Sequence, residues 1–508
     1  MKISVSHGDL LSIHKDVAVL PLFEGEEALT GVALRVDKAL GGLISALRKK
    51  GEFTGKEGTT SLLHVPPGTE GLAPERVMLL GLGKRERFGA EPLRKAGGTA
   101  AKGVRALSLK SFSAELPPSD EPSPEAKAQA FTEGVLLGLY RLDAYKTEGR
   151  EELKKVESLE LVTPSKAEVG KLRRGLKQGR VLAEATNFAR DLVNHPGNVT
   201  TPTRLAEEAR RMARRHGLRC RVLGPRDIAR LKMGALESVA RGSREPARFI
   251  ILEHRGKRAG DTVCLVGKGI TFDTGGISLK PSRDLDKMKT DMGGAAAVLG
   301  AMRAAAELSL PVNLVGLVPA TENMPGGRAT RPGDIVRSMV GLTIEIQNTD
   351  AEGRLILCDA LAYARRYKPA AVIDLATLTG SCAVALGEVC SGLLGNNEEL
   401  IRRMKDAGEA SGERLWQLPL WEDYYEMIKS DIADIKNVGG RYGGAITAAA
   451  FLGKYTESYP WAHVDIAATA WTDKEKPYTP KGATGVGVRL LLELLSRWQK
   501  LRPEKKKS

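Results

Sequence analysis

The sequence predicts an α/β protein of two domains, a smaller N-terminal α/β domain and a larger C-terminal α/β domain with a mostly parallel central sheet. Three observations predict it. The chain has 508 residues, and at roughly 150 residues per domain this gives about three domains, or two where α/β domains run large. Short apolar runs alternate with helical patterns along most of the chain, the pattern of parallel strands covered on both faces. A long charged helical stretch about a third of the way along divides the chain into unequal parts.

Each element has its own signal. VAVLPLF from Val17 and VMLLGLG from Val77 read as strands, and residues 31–50 read as helical. ELPPSDEPSPEAK, residues 115–127, is rich in proline, serine and charge and reads as a surface loop. In residues 165–192 apolar positions recur at helical spacing until NHPGNVTTP ends the pattern. This helix reads as the bridge between domains, giving an N-terminal domain over 1–163, a linking helix over 164–193 and a second domain over 194–508. Beyond Val199, ARFIILEH, DTVCLVGKG, PVNLVGLVP and AAVIDLAT are strand candidates, and residues 293–308 and 354–367 are helix candidates. The polar tail LRPEKKKS is expected to fray.

Composition removes several classes. Hydrophobic residues make up 42% and charged residues 27%, which excludes a collagen, a disulfide miniprotein and a mostly disordered chain. The most apolar stretch, residues 375–387, is too short to span a bilayer and is closed by Asp374 and Glu388. The first residues hold no apolar signal core. A cytoplasmic protein without a membrane partner is expected. The five scattered cysteines, with no CxxC pair, read as reduced, buried thiols. Lys plus Arg is 77 against 62 for Asp plus Glu, a net charge of +15. Such a surface can attract nucleic acid or anionic partners, or serve solubility alone.

Histidine is scarce, at 7 residues, with no HExxH, and GxSxG and GxxxxGK[ST] are also missing. What stands out is acidic and basic residues set among glycines. VGKGITFDTGGISLKP carries Lys268, Asp273 and Lys280; KMKTDMGGAAAV carries Asp291 before an alanine-rich helix; IQNTDAEGRLILCDAL carries Asp350, Glu352 and Arg354 at a helix mouth. A lone Asp before a helix is commonly just an N-cap, and Asp291 and Asp350 could each be that. Together, carboxylates at strand ends converge on one sheet edge, repel one another, and call for divalent cations. Residue chemistry therefore leads to a metal-dependent hydrolase or a phosphoryl-transfer enzyme, the latter without the phosphate-cradling elements it would need.

NTDAEGRL, residues 348–355, with VGKGITFDTGGISLKP and KMKTDMGGAAAV, resembles the leucyl aminopeptidase family, the cytosolic metallopeptidases that include bacterial aminopeptidase A. LVGLVPATENMPGGRATRPGDI, ATLTG, SDIADIKN and KGATGVGV are similar to family sequence too, so the resemblance covers about residues 160–495. It implies that the C-terminal domain is catalytic and releases N-terminal residues, leucine or other apolar ones, by two-metal activation of water. By motif position Lys268, Asp273, Asp291, Asp350 and Glu352 are implied metal ligands, with Asp273 and Glu352 bridging two divalent ions (manganese or zinc). Lys280 is the implied catalytic lysine, and Arg354 the arginine that holds a bicarbonate acting as general base. Met288, Asn348, Thr377, Leu378 and Gly380 are implied substrate contacts. Ala468 stands where many relatives carry glycine, which bears on the pocket wall, and His463 reads as structural. The resemblance also implies a homohexamer and, through bacterial aminopeptidase A, a DNA-binding role beside peptide turnover.

Overall fold

The computed structural model describes residues 1–26, 28–119, 121–149, 154–257 and 260–501; the predicted frayed tail, beyond Leu501, lies outside them. The chain forms two compact units, one of Met1–Glu184 with Lys474–Pro480 and one of Ala185–Asp473 with the chain from Lys481 onward.

The first unit carries a six-stranded sheet of β1 (Lys2–His7), β2 (Val17–Glu24), β3 (Thr60–His64), β4 (Arg76–Lys84), β5 (Ser111–Glu115) and β6 (Ser158–Thr163), in the order β1-β6-β5-β2-β4-β3. Only β3 runs antiparallel to its neighbour. The two predicted strands are β2 and β4, whose apolar runs are buried in the middle of the sheet. The predicted helix over 31–50 is two helices, α1 (Gly31–Ala39) and α2 (Leu43–Lys49). Gly41 and Gly42 break it with φ of 64° and 83°, left-handed values that glycine adopts without a Cβ clash. The predicted proline-rich loop is also shorter. Glu115 still belongs to β5, and α4 (Pro124–Gly138), which follows α3 (Ala90–Ala106), begins at Pro124 with Ser123 capping the Ala126 N–H. The long helix α5 (Val169–Asn194) starts later than residue 165. The Thr163 hydroxyl accepts the Ser165 N–H and holds that segment in a turn.

The second unit is built on a nine-stranded sheet. Its strands are β7 (Arg219–Leu223), β8 (Arg248–His254), β9 (Thr262–Gly267), β10 (Gly269–Asp273) and β11 (Asn313–Asn323), then β14 (Ala371–Ala376), β15 (Ser391–Gly395), β16 (Leu415–Gln417) and β18 (Trp461–Asp465). The order is β16-β15-β18-β14-β9-β11-β8-β7, with β10 beside β11. Pairing is parallel through β18-β14-β9-β11 and antiparallel at β8 and between β15 and β18. The short strands β12 (Ile335–Arg337), β13 (Thr343–Glu345) and β17 (Ile435–Lys436) form a separate small sheet. All four predicted strands are present, as β8, β9, β11 and β14.

Helices cover this sheet. The amphipathic α6 (Pro202–His216) is followed by the short α7 (Pro225–Arg230) and α8 (Gly234–Ala240). The basic run on α6 is partly self-neutralised, because Arg204 pairs with Glu207 and Glu208, and Arg211 with Glu208. The apolar α9 (Gly293–Glu307) and α10 (Gly353–Ala364) are buried along nearly their whole lengths, as helices apolar all round must be. The strands β9, β14 and β18 are likewise almost fully buried. At about 1.5–3 kcal/mol for each large apolar side chain withdrawn from water, this layer is a rigid base for whatever its strand ends carry. Among the described residues no helix is long and apolar enough to cross a membrane. All five cysteines are free; Cys264, Cys358 and Cys382 are buried, while Cys220 and Cys390 are only half-buried, contrary to the reading of uniformly buried thiols.

Candidate active site

Parallel strands deliver the residues at their carboxyl ends to one sheet edge. Here β9 ends at Gly267 and delivers Lys268, β10 ends on Asp273, and β14 ends at Ala376 and delivers Thr377. A 3-10 segment, Leu285–Met292, brings Met288, Thr290 and Asp291 to the same edge ahead of α9. The loop before α10 brings Asp350, Glu352 and, one residue into the helix, Arg354. All of these line one cavity of about 260 Å³, with Lys280, Leu378, Thr379, Gly380, Ala383 and Ala467.

Neither Asp291 nor Asp350 is a helix cap. The α9 N-cap is Met292 and the α10 N-cap is Glu352, and neither makes a side-chain cap bond. The Asp291 carboxylate instead accepts from Lys268 Nζ at 2.7 Å and from Thr377 Oγ1 at 2.7 Å. Lys268 Nζ also meets Glu352 Oε1 at 3.0 Å and donates to the Thr377 carbonyl at 2.8 Å. It passes close over Gly353, where a Cβ would lie 2.6 Å from Lys268 Cε. Lys280 Nζ lies 2.9 Å from Asp273 Oδ2 and 2.5 Å from Asp350 Oδ1. Asp273 Oδ1 accepts the Gly275 N–H and the Asn323 amide.

The electrostatics reflect crowding. Two ammonium groups face four carboxylates in a site where Lys268, Asp273, Asp291 and Glu352 are all buried. Burial, joined by repulsion from Glu352, raises Asp273 to about 6 despite Lys280 and Lys268. Asp291 is raised well above the usual carboxylate range, chiefly by burial, and Asp350 is raised for the same reason. For Glu352 burial is outweighed by Lys268 and Lys280, and its pKa is lowered. Burial acts to discharge both lysines, but the surrounding carboxylates win and raise them. Burial lowers Arg354 to about 10 against the pull of Glu352 and Asp465.

Two oxygens decide what such a site can hold. Asp291 Oδ2 and Glu352 Oε2 are buried and accept no hydrogen bond. A buried polar atom without a partner costs about 1–3 kcal/mol, more when charged. Asp273, Asp350 and Glu352 can also present oxygens within 4.8 Å of one another. Hard oxygen donors converging with spare lone pairs fit divalent cations.

The comparisons with known proteins agree with this chemistry. The model of the cytosol aminopeptidase family catalytic domain matches residues 187–492, and that of its N-terminal domain matches residues 19–149. The chain belongs to the cytosol aminopeptidase family. It is 50% identical over 499 residues to a probable cytosol aminopeptidase of Geobacter sp. (strain M21), covering 98% of this chain and 100% of that one. It is 52% identical to the probable cytosol aminopeptidase of Geotalea uraniireducens (strain Rf4), covering 91% and 92%. Among solved structures, a mutant of tomato leucine aminopeptidase superposes with a TM-score of 0.88 at 35% identity, covering 98% of this chain and 96% of that one. The bottromycin maturation enzyme BotP in complex with Mn superposes with a TM-score of 0.84 at 35% identity, covering 95% and 99%. Membership makes the chain a metal-dependent aminopeptidase, a peptide-bond hydrolase.

Of the catalytic, metal and substrate residues expected from the sequence, Asn348 alone does not line the cavity. Its side chain accepts the Asp350 N–H at 2.8 Å, so it shapes the loop. Ala468 is buried, and the cavity wall at that point is Ala467. His463 is buried with Nδ1 2.6 Å from Asp374. Sequence reasoning missed a set of buried struts. The Asn323 amide joins Asp273 to the Thr349 carbonyl. Asn437 accepts the Gln347 and Asn348 N–H groups, donates to the Asn348 carbonyl, and takes Arg354 Nη1 on its own carbonyl at 2.8 Å. Both lie in stretches similar to the family, PATEN and SDIADIKN, which was the available signal.

Proposed function

We propose that this aminopeptidase holds two divalent ions, manganese or zinc, and releases leucine or other apolar residues from peptide N-termini. The reading is carried by the pair of buried, unpartnered carboxylate oxygens, Asp291 Oδ2 and Glu352 Oε2, in a cavity with more carboxylates than ammonium groups. Asp273 and Glu352 would bridge the ions, Asp350 would complete one position, and Asp291 with Lys268 the other, Lys268 as the neutral amine left once a cation among the same carboxylates displaces its proton. When bound, such a pair supplies an activated water and a Lewis acid for the scissile carbonyl.

The chain's own groups do the rest. Lys280, half-buried at the mouth, donates a hydrogen bond to the oxygen that gains charge as water adds to the carbonyl. Arg354 is buried with an unpartnered Nε; a planar, permanently charged guanidinium suits a bicarbonate ion, which would take a proton from the attacking water. Met288, Thr377, Leu378 and Gly380 line the space for the substrate's first side chain. Asn348 serves by holding Asp350. The N-terminal domain, 1–163, joined through the 164–193 stretch that carries most of α5 to the catalytic domain, 194–508, would serve oligomerisation or regulation in a cytoplasmic homohexamer engaged in peptide turnover.

The test is hydrolysis of leucine 4-nitroanilide by metal-stripped protein, with manganese or zinc then restored and the N-acetylated compound as control. Activity should follow metal and require the free amine. Equal cleavage of the acetylated compound would overturn the exopeptidase reading.

A further inference from the structure

One buried carboxylate beside the cavity differs from those inside it. Asp465 ends β18 and is 1% exposed. Its Oδ1 accepts the Leu378 N–H at 3.2 Å and the Ala467 N–H at 3.1 Å, with the Thr379 N–H at 3.5 Å. Its Oδ2 accepts the Thr379 hydroxyl at 2.6 Å. That hydroxyl accepts the Cys382 N–H at 3.1 Å and so caps α11 (Gly380–Leu386). Both oxygens are therefore engaged by protein donors, whereas Asp291 and Glu352 each keep one free. A buried carboxylate engaged at both oxygens in this way holds protein groups rather than a cation or a substrate amine.

What it does have is control of backbone. Leu378, Thr379, Gly380, Ala383 and Ala467 line the cavity, and they come from two segments, one after β14 and one after β18. Each is fastened to the same carboxylate. An N–H bonded to a buried carboxylate is firmly held, and one left buried without its acceptor is costly. Removing the acceptor frees both segments together.

We infer that Asp465 is a positioning residue that sets the shape of the wall receiving the substrate's N-terminal side chain, and so fixes selectivity between large and small first residues. This rests on the reading that the cavity accepts that side chain. A large apolar residue must reach the wall and gains from its fit; an alanine side chain is too short to depend on it. Discrimination by an apolar pocket is worth about 10–200-fold per methylene-scale difference, which sets the scale of the effect.

The experiment compares leucine and alanine 4-nitroanilides on manganese-loaded wild type, Asp465→Ala, Asp465→Asn, Thr379→Val and Thr379→Ser, with metal per chain measured on each. For Asp465→Ala the KM for the leucine compound should rise about 10-fold or more. The KM for the alanine compound and the metal content should stay within about 2-fold, and any change in kcat should be by the same factor on both compounds. Asn keeps an acceptor for the N–H groups and should restore most of the leucine KM. Thr379→Val deletes one strut and should shift selectivity in the same direction, while Thr379→Ser should not; this pair keeps the test alive if Asp465→Ala fails to fold. A parallel loss of kcat on both compounds with loss of metal would overturn the inference, as would unchanged selectivity in Asp465→Ala or Thr379→Val. Failure of wild type to cleave either compound would instead count against the aminopeptidase reading itself.

Discussion

Two clusters of buried charge, one in each unit, both set basic side chains against carboxylates and end differently. In the first unit Arg94 is 3% exposed and binds Glu133 at 2.7 Å and Glu91. Gln129 donates to the other Glu133 oxygen, and the Tyr478 hydroxyl to the other Glu91 oxygen. Burial alone would discharge Arg94, but Glu133, Tyr478 and Glu91 raise its pKa. Each carboxylate oxygen has a donor. In the second unit Lys268 and Lys280 face Asp273, Asp291, Asp350 and Glu352, and two buried oxygens have none. A saturated cluster is scaffold, because it has no capacity left. An unsaturated one carries a standing free-energy cost that binding a cation removes.

Substitutions in each cluster separate the two cases. The largest effect is expected in the unsaturated cluster: Asp350→Asn should lower leucine anilide hydrolysis by about 10³-fold or more, about 4 kcal/mol in the barrier, with circular dichroism unchanged. In the saturated cluster, Arg94→Met strands Glu133 and should cost about 3–5 kcal/mol of stability in urea unfolding. Replacing both partners, Arg94→Met with Glu133→Leu, should recover most of that loss, since a buried pair exchanged for apolar groups is often neutral. Removing metal with a chelator should lower stability by about 2.7 kcal/mol for each bound ion relative to protein at 100 times the dissociation constant; Asp291→Ala, which takes a ligand from one of the two positions, should cut this shift by about half, and Arg94→Met should leave it intact. The smallest effect belongs to solvent. Arg204→Ala on α6 removes exposed pairs with Glu207 and Glu208 and should change stability by no more than about 1 kcal/mol in the same assay.

The two clusters also differ in how far they could be read from sequence. Lys268, Asp273 and Lys280 sit within one glycine-rich stretch, and Asp350, Glu352 and Arg354 within another. Charged residues among glycines and apolar strands are out of place chemically, and that is visible without a structure. Arg94 and Glu133 are 39 residues apart on two helices, where a charged residue looks like solvated surface. Asp465 and the Thr379 it holds are 86 residues apart, and the Asn323 amide meets Asp273 across 50. A neutral amide or a strand-ending aspartate carries no periodicity, so only the assembled sheet reveals such struts. The alternation of strands and helices pointed correctly to the parallel sheet, because strands buried on both faces must be apolar throughout. It missed the break at Gly41 and Gly42, because apolar spacing continues across the turn.

The unsaturated carboxylates are proposed to mark a site for two ions, and the roles of Lys280 and Arg354 beside them turn on that number. The most direct measurement is therefore the count of manganese ions bound per chain, by equilibrium dialysis and elemental analysis, in wild type and in Glu352→Gln. Wild type should bind two ions per chain and Glu352→Gln fewer than one, since that residue would bridge both positions. Manganese binding that is the same in both proteins, or no stoichiometric binding by wild type, would contradict the two-ion site.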